Sequence, residues 1–343
     1  MTIRKPLLLV SSLTIVFTLT NPFGFSLTAA ENAAPTLQDY HRFPALHGDQ
    51  IVFTAEGDLW KVKVQGGVAQ RLTSHPGSET YASFSPDGKT LAFSAEYEGP
   101  TEVYTMPAAG GLPTRRTFEG GPEETVGWTP DGRLLYSNGR QWRLPDPQLT
   151  TLDLEAGKTE VLPLSQANRG VFDASGETLF FTRLPFNRGS VKRYKGGTAE
   201  NLWKFTRGAP EATPLTADYP GTSRMPMWWD GRVYFVSDRD GTMNLWSMNP
   251  DGRGLRQHTK HTGWDVKWPA LSVGRIVYQL GADLWLYDIK TSKDASIPIT
   301  LASDFDHQRE KWVKKPLDYV TAAHLSPNGD RVVLTARGQV FVA

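Results

Sequence analysis

A pattern of apolar strands separated by tight turns recurs along most of this chain. One clear copy opens with the turn Asp230-Gly231, continues through the apolar residues 232–237, and reaches a second strand that contains Asn244-Leu245-Trp246. A turn at Pro250-Asp251-Gly252 and a weaker, more polar strand that runs into Thr259 complete the copy. Four strands repeated about every 40–45 residues are typical of the blades of a β-propeller.

The strand that contains Leu-Trp provides a marker for counting the repeats. Six markers occur, at intervals of 39 to 53 residues: Trp60, Tyr104, Thr150, Trp203, Trp246 and Trp285. A turn that contains Gly lies upstream of each marker, and Gly supplies the positive φ that a hairpin turn needs. The sequence therefore predicts an all-β fold, a six-bladed β-propeller of four-stranded antiparallel blades over residues 31–303.

The last strand of each repeat is more polar, which is typical of an edge strand that faces solvent. In the sixth repeat this outer strand is predicted at residues 297–300. Because each repeat supplies its own four strands, we expect the sixth blade to close against the first by packing, without an added strand.

The pattern changes after the sixth repeat. Residues 304–319 are rich in charge and are interpreted as a linker, and the turn-and-strand pattern begins again over residues 320–343, around Asn328-Gly329. A propeller unit needs neighbours to bury its faces. Residues 320–343 are therefore predicted to be the truncated start of a second β-propeller in a longer protein.

The N-terminus has the features of a secretory signal peptide. Arg4 and Lys5 precede an apolar stretch from Leu7 to about Thr20, and small residues at Ala29-Ala30 precede Glu31. We expect cleavage after residue 30 and a periplasmic or secreted product without membrane attachment. The alternative is an uncleaved anchor, but the apolar stretch is shorter than the ~20 residues that span a bilayer.

Composition excludes several classes of function. The 37 Lys and Arg nearly balance the 36 Asp and Glu, so the charge does not favour nucleic acid as a partner. The chain has no cysteine, which excludes disulfides and thiolate chemistry. His258 and His261 lack a convincing third metal ligand and are interpreted as a solvated loop pair. No catalytic residue, metal or cofactor is predicted.

The fourth repeat carries a cationic insertion between its second and third strands. Its basic residues are Arg188, Lys192, Arg193 and Lys195, followed by Gly196-Gly197. Like charges on one loop repel, so a role in stability alone is disfavoured. We interpret these residues as candidates for binding an anionic substrate group, such as a carboxylate, or a neighbouring subunit. The alternative is a solvated surface loop.

Several segments resemble a known family. The chain is similar to the N-terminal six-bladed propeller of tricorn protease and its homologues in four segments: residues 44–60, 192–198, 237–246 and 255–259. The resemblance implies a serine peptidase that degrades oligopeptides, with a second propeller, a PDZ-like domain and a C-terminal protease region. It also implies hexamers and propellers that act as channels. None of the family's catalytic residues falls in this stretch.

Two functions of different classes follow from the sequence. The first is the substrate or product channel and assembly module of a tricorn-like serine peptidase. The alternative is an exported, non-catalytic scaffold that resembles the Tol-system propeller and binds envelope proteins. A prolyl-oligopeptidase-like propeller is a third possibility, which the renewed pattern after residue 320 disfavours. Tricorn homologues are usually cytosolic, so a cytoplasmic location is the alternative to export.

Overall fold

The computed structural model describes residues 40–139, 147–184, 191–304, 314–336 and 339–343. Six sheets follow one another along the chain, and each contains four consecutive antiparallel strands; the first sheet has a fifth strand from near the end of the sixth repeat. A seventh sheet has three strands. The described residues are therefore nearly all β, as the repeat pattern predicts.

Each blade is a meander of four strands. Blades 1 and 2 contain β1 (Arg42–His47), β2 (Gln50–Ala55), β3 (Asp58–Lys63), β4 (Gly67–Arg71), β5 (Glu79–Phe84), β6 (Thr90–Ala95), β7 (Glu102–Pro107) and β8 (Thr114–Arg115). Blades 3 and 4 contain β9 (Glu123–Trp128), β10 (Leu134–Asn138), β11 (Gln148–Leu152), β12 (Thr159–Val161), β13 (Gly170–Phe172), β14 (Thr178–Thr182), β15 (Leu202–Thr206) and β16 (Thr213–Pro214). Blades 5 and 6 contain β17 (Ser223–Trp229), β18 (Arg232–Ser237), β19 (Asn244–Met248), β20 (Arg256–Gln257), β21 (Val266–Ser272), β22 (Arg275–Leu280), β23 (Asp283–Asp288) and β24 (Lys293–Ser296).

Turn chemistry and apolar runs account for this arrangement. The predicted turn glycines all have positive φ, between 56° and 87°: Gly48, Gly88, Gly132, Gly176, Gly231 and Gly274. The second strand of each blade follows such a turn and is almost fully buried. A strand covered on both faces by neighbouring blades needs apolar side chains on both faces, which explains why these runs do not alternate.

A recurring threonine links the third and fourth strands in four blades. It lies two residues after the fourth strand, and its hydroxyl accepts a hydrogen bond of 2.8–3.0 Å from a backbone N–H at the start of the third strand. The threonines are Thr73, Thr117, Thr216 and Thr259. This contact explains the regular spacing between the Leu-Trp marker and the outer strand.

The closure of the ring differs from the sequence prediction. The outer strand of blade 6 is β24, not residues 297–300, and a further strand, β25 (Ile299–Leu301), pairs in parallel with β4 of blade 1. Ile297 and Leu301 are buried in a core shared by blades 1 and 6. Burial of these apolar side chains draws the segment past blade 6 and onto the edge of blade 1. The expectation of closure without an added strand was therefore wrong.

The last described segment begins with a short 3₁₀ helix, Pro316–Tyr319. Three antiparallel strands follow: β26 (Val320–Leu325), β27 (Val332–Ala336) and β28 (Gln339–Val342). Their assignment to a second propeller stays a prediction. The predicted signal peptide and most of the predicted linker lie outside the described residues. Among the described residues, no helix has the length and apolar character to cross a membrane.

Candidate functional site

The first strands of all six blades surround a central cavity of about 340 Å³. Its wall is formed by residues of β1, β5, β9, β17 and β21 and by the segment around Arg169 at the start of β13. Pro, Ala, Val, Leu, Met and aromatic residues make up most of the wall. Among the described residues of the wall, Arg169 alone carries a charge.

Irregular backbone turns large side chains toward this cavity. The pairing between the first and second strands shifts register in blades 1, 2, 3, 5 and 6. At the β-bulges of blades 1, 2, 5 and 6, Phe43, Tyr81, Met225 and Trp268 have φ values of 49° to 55°. A non-glycine residue in the left-handed region costs about 1–2 kcal/mol. Four equivalent bulges are therefore a built feature of the cavity wall.

Three of these side chains form an aromatic cluster, defined here as Phe43, Tyr81 and Trp268. The ring centroids are 4.6 Å apart for Phe43 and Tyr81, 4.9 Å for Phe43 and Trp268, and 5.1 Å for Tyr81 and Trp268. These tilted arrangements are favourable for aromatic pairs. The cluster joins blades 1, 2 and 6 across one side of the cavity.

Arg169 reaches the aromatic cluster from blade 4. Its guanidinium carbon lies 4.3 Å from the Tyr81 ring centroid and 5.7 Å from that of Trp268. Its Nη1 donates to the Thr125 carbonyl at 2.9 Å, and its Nη2 donates to Glu124 Oε2 at 2.7 Å. The cation is therefore held in place by blade 3 while it packs on aromatic rings.

The repeat pattern of the sequence did not predict the aromatic cluster or Arg169. A signal was present, because Phe43-Pro44, Met225-Pro226 and Trp268-Pro269 repeat one dipeptide pattern at the same blade position. Proline removes a ladder hydrogen bond and is tolerated at a bulge. The left-handed backbone that aims the preceding side chain is not visible in the sequence.

The structure places the cationic insertion against blades 5 and 6. Lys192 Nζ lies 3.0 Å from Asp265 Oδ2, and Arg193 Nε donates to the Gly241 carbonyl. Lys195 is exposed, and within the described part of the chain its ammonium group makes no ion pair. Arg188 lies outside the described residues. Two of the four predicted site residues thus hold the insertion onto neighbouring blades, and anion binding stays a prediction.

The two loop histidines are half-buried and hydrogen-bonded, so their interpretation as a solvated pair was wrong. His258 lies 2.8 Å from Ser247 Oγ through Nε2 and 3.0 Å from the Tyr287 hydroxyl through Nδ1. Burial, assisted by nearby arginines, lowers the pKa of His258 to about 4. His261 Nε2 lies 3.0 Å from Asp294 Oδ2. Both rings connect blade 5 to blade 6 and have separate partners.

Buried carboxylates occupy the junctions between the first blades. Burial raises the pKa of Glu79, at the junction of blades 1 and 2, to about 7. At the junction of blades 2 and 3, carboxylate oxygens of Glu102, Glu119 and Glu123 lie within 4.8 Å of one another. Oxygen donors in this arrangement are suited to a hard metal ion.

Comparisons with known proteins identify relatives of this propeller. The family model of the tricorn protease N-terminal beta propeller domain matches residues 38–293. Tricorn protease homolog 1 of Streptomyces coelicolor is 34% identical over 258 residues, which cover 74% of this chain and 24% of that protein. The tricorn protease homolog of Saccharolobus solfataricus is 28% identical over 310 residues, which cover 89% of this chain and 28% of that protein. The chain spans about a quarter of the length of these relatives.

Solved structures show the same architecture. The crystal structure of the tricorn protease matches with a TM-score of 0.74 at 24% identity, covering 89% of this chain and 30% of that chain. TolB from Acinetobacter baumannii matches with a TM-score of 0.54 at 22% identity, covering 68% of this chain and 57% of that chain. At these identities the likeness is one of fold.

Proposed function

Because the chain belongs to the family of the tricorn protease N-terminal β-propeller domain, we propose that it is the channel module of a tricorn-like serine peptidase that degrades oligopeptides. The catalytic region would lie outside these 343 residues. The observation that carries the proposal is the central cavity, which all six blades line and into which the aromatic cluster projects.

The chemistry of the wall suits an unfolded peptide. Its mostly apolar surface accepts side chains of many kinds, and the aromatic cluster provides flat faces on which they can stack. Arg169 is already paired with Glu124, which fixes the orientation of its guanidinium and offsets its charge. The cavity therefore presents a cation to the peptide but does not select strongly for acidic peptides. An extended chain needs far less width than a folded domain, so a cavity of this size favours unstructured oligopeptides.

Peptide binding to the purified chain tests this function. We expect an unstructured, fluorescently labelled oligopeptide to bind, and Trp268→Ala to weaken binding about ten-fold, because buried aromatic anchors contribute most of the energy at such surfaces. The measurement is fluorescence anisotropy. Trp264→Ala is the control, because Trp264 is 66% exposed and does not line the cavity. Equal affinities for both variants would contradict the proposal and favour the envelope-protein scaffold.

Assembly and location are part of the same proposal. Tricorn-like peptidases form oligomers, and the exposed Lys195 is the remaining candidate in the described insertion for contact with a neighbouring subunit or an anionic group. Sedimentation of the Lys195→Glu variant, in the protein that includes the catalytic region, tests the subunit contact; an unchanged oligomer would exclude it.

Export through residues 1–30 is tested by N-terminal sequencing of the mature protein, and an intact Met1 would contradict it.

A further inference from the structure

One residue position near the start of the first strand recurs in all six blades. In five blades it pairs with the equivalent residue of the second strand, on the N-terminal side of the β-bulge. In blade 4 the Thr182 N–H donates to the Arg169 carbonyl at 2.9 Å, which places Arg169 at the same level. Equivalent positions in the blades of a propeller form a ring around its centre. In blade order the six residues are Arg42, Thr80, Glu124, Arg169, Arg224 and Lys267.

Four of these six residues are basic and belong to the consecutive blades 4, 5, 6 and 1. We define the basic arc as Arg42, Arg169, Arg224 and Lys267. The residues that directly follow Arg42, Arg224 and Lys267 in the chain all line the central cavity, as Arg169 itself does. The basic arc therefore lies at one rim of the cavity.

Carboxylates neutralise only part of the basic arc. Arg169 Nη2 lies 2.7 Å from Glu124 Oε2, and Arg224 Nη1 lies 3.7 Å from Glu200 Oε1. Within the described part of the chain, Arg42 and Lys267 make no ion pair. At least two cations of the rim are thus without a counter-charge.

A small pocket beside the arc adds to the positive charge. It is lined by four basic residues and two carboxylates: Lys192, Arg193, Arg224, Lys267, Asp238 and Asp265. The Asp265 carboxylate is already occupied, because its Oδ2 lies 3.0 Å from Lys192 Nζ. The cationic insertion therefore leaves this side of the rim with an excess of positive charge.

Two arginines of the arc have an unused buried donor. The Nε atoms of Arg42 and Arg224 are buried and have no hydrogen-bond partner among the described residues, and Arg224 is only 8% exposed. Buried polar atoms are rarely left without a partner. Because guanidinium donors match carboxylate oxygens in geometry and charge, these two Nε atoms point to an anionic ligand at the rim.

We propose that the basic arc makes the cavity select oligopeptides that carry acidic side chains. This inference rests on the proposed function, since it names the peptides that the cavity takes. The wall itself selects little by charge, because Glu124 offsets Arg169. At the rim, the carboxylates of an entering peptide pair with Arg42, Arg224 and Lys267, whereas basic side chains are repelled.

Three peptides of one length test this selection on the full chain. They differ only in having Glu, Gln or Lys at the same positions, and they carry an N-terminal label and a C-terminal amide, so only side chains are charged. By fluorescence anisotropy at low salt, we expect the Glu peptide to bind about ten-fold tighter than the Gln peptide and the Lys peptide to bind weakest. The difference should shrink at about 1 M NaCl, where exposed charges are screened.

Substitutions in the arc test the assignment of residues. Arg42→Gln and Lys267→Gln together should reduce the preference for the Glu peptide about three-fold or more, because they remove the two cations that have no counter-charge. Lys89→Gln is the matched control and should keep the preference. The Lys89 side chain is 83% exposed and lies in the turn between β5 and β6, at the opposite end of these strands from the rim.

The contrary results have distinct meanings. Equal binding of the Glu and Gln peptides would overturn the selection but keep the channel, and water would then satisfy the unused donors. If none of the three peptides binds, both the channel and the selection fail. A preference that survives the double substitution, or that Lys89→Gln reduces equally, would overturn the role of the arc. Lys267 is partly exposed, so Lys267→Gln decides the question even if Arg42→Gln fails to fold.

Discussion

Single hydroxyl groups do much to connect neighbouring strands in this ring. Thr259 accepts a hydrogen bond from the Leu245 N–H at 2.9 Å and donates one to Asn244 Oδ1 at 2.8 Å. The sequence shows this residue only as a polar position beside an edge strand. Its role depends on the distance between Leu245 and Thr259, which are 14 residues apart along the chain.

Replacing Thr259 with Val tests that role. Valine keeps the shape of the side chain but leaves the buried Leu245 N–H without an acceptor, which costs about 1–3 kcal/mol. We expect the free energy of unfolding, measured in urea, to fall by that amount. Thr213→Val, at an exposed position of β16, should have little effect. Equal losses in the two variants would contradict the prediction.

Glu79 makes the stability of the ring depend on pH. Its Oε1 accepts from the Tyr97 hydroxyl at 2.6 Å, and its Oε2 accepts from the Leu59 N–H at 3.0 Å. Burial raises its pKa from 4.5 to about 7, and the charge of Asp58 adds to the effect. Because the folded state holds the proton more tightly, this contribution to stability is complete below about pH 4.5. It is lost as the pH rises through 7.

We therefore expect Glu79→Gln to remove a loss of about 2–3 kcal/mol in the free energy of unfolding between pH 5 and pH 8. Chemical denaturation across this range is the measurement. Glu96→Gln, at an exposed carboxylate, should keep the pH dependence of the unchanged chain. A Glu79→Gln variant with that same dependence would show that Glu79 is not the titrating group.

At the scale of elements, the sequence predicted the blades well because local turns determine them. A glycine with positive φ begins each second strand, and the Leu-Trp marker falls in the third strand of every blade. The added strand β25 was not predicted, since its pairing with β4 joins segments more than 200 residues apart. No local pattern distinguishes such a strand from the outer strand of blade 6.

The cavity wall shows the same limit for side chains. The sequence predicted the inner strands, but the direction of Phe43, Tyr81 and Trp268 depends on bulges that insert a left-handed residue. A regular strand in the same place would turn alternate side chains the other way. Regular periodicity therefore could not predict the aromatic cluster.

The strand β25 offers a test at this scale. Leu301 is 9% exposed and packs in the core shared by blades 1 and 6. We expect Leu301→Ala to cost about 2–3 kcal/mol, at the lower end for buried leucines because the strand lies at a core edge. Hydrogen exchange should accelerate first in β4 and β25. Thr300→Ala, exposed on the same strand, should leave both quantities nearly unchanged, and uniform acceleration in all blades would contradict local closure.

At the scale of the whole molecule, the ring is closed by more than packing. The Gly67 N–H donates to the Pro298 carbonyl at 2.8 Å, and the His41 N–H donates to the Ala282 carbonyl at 3.0 Å, so both the outer and inner edges of blade 1 are tied to the sixth repeat or its extension. Blades 1 and 6 are neighbours in the ring but lie at opposite ends of the repeat array. Every other pair of neighbouring blades is joined directly by the chain, so we expect the ring to open first between blades 1 and 6.

Two shortened chains test whether β25 completes the ring. A chain of residues 31–304 keeps all six blades and β25, and we expect its Tm to match that of residues 31–343. A chain of residues 31–296 keeps the same blades but loses β25, which exposes the edge of β4 and the apolar core beneath Leu301. We expect its Tm, measured by circular dichroism, to fall by roughly 5–10 °C, since about 3 kcal/mol is lost from a domain of this size. Equal melting of the two chains would show that packing alone closes the ring.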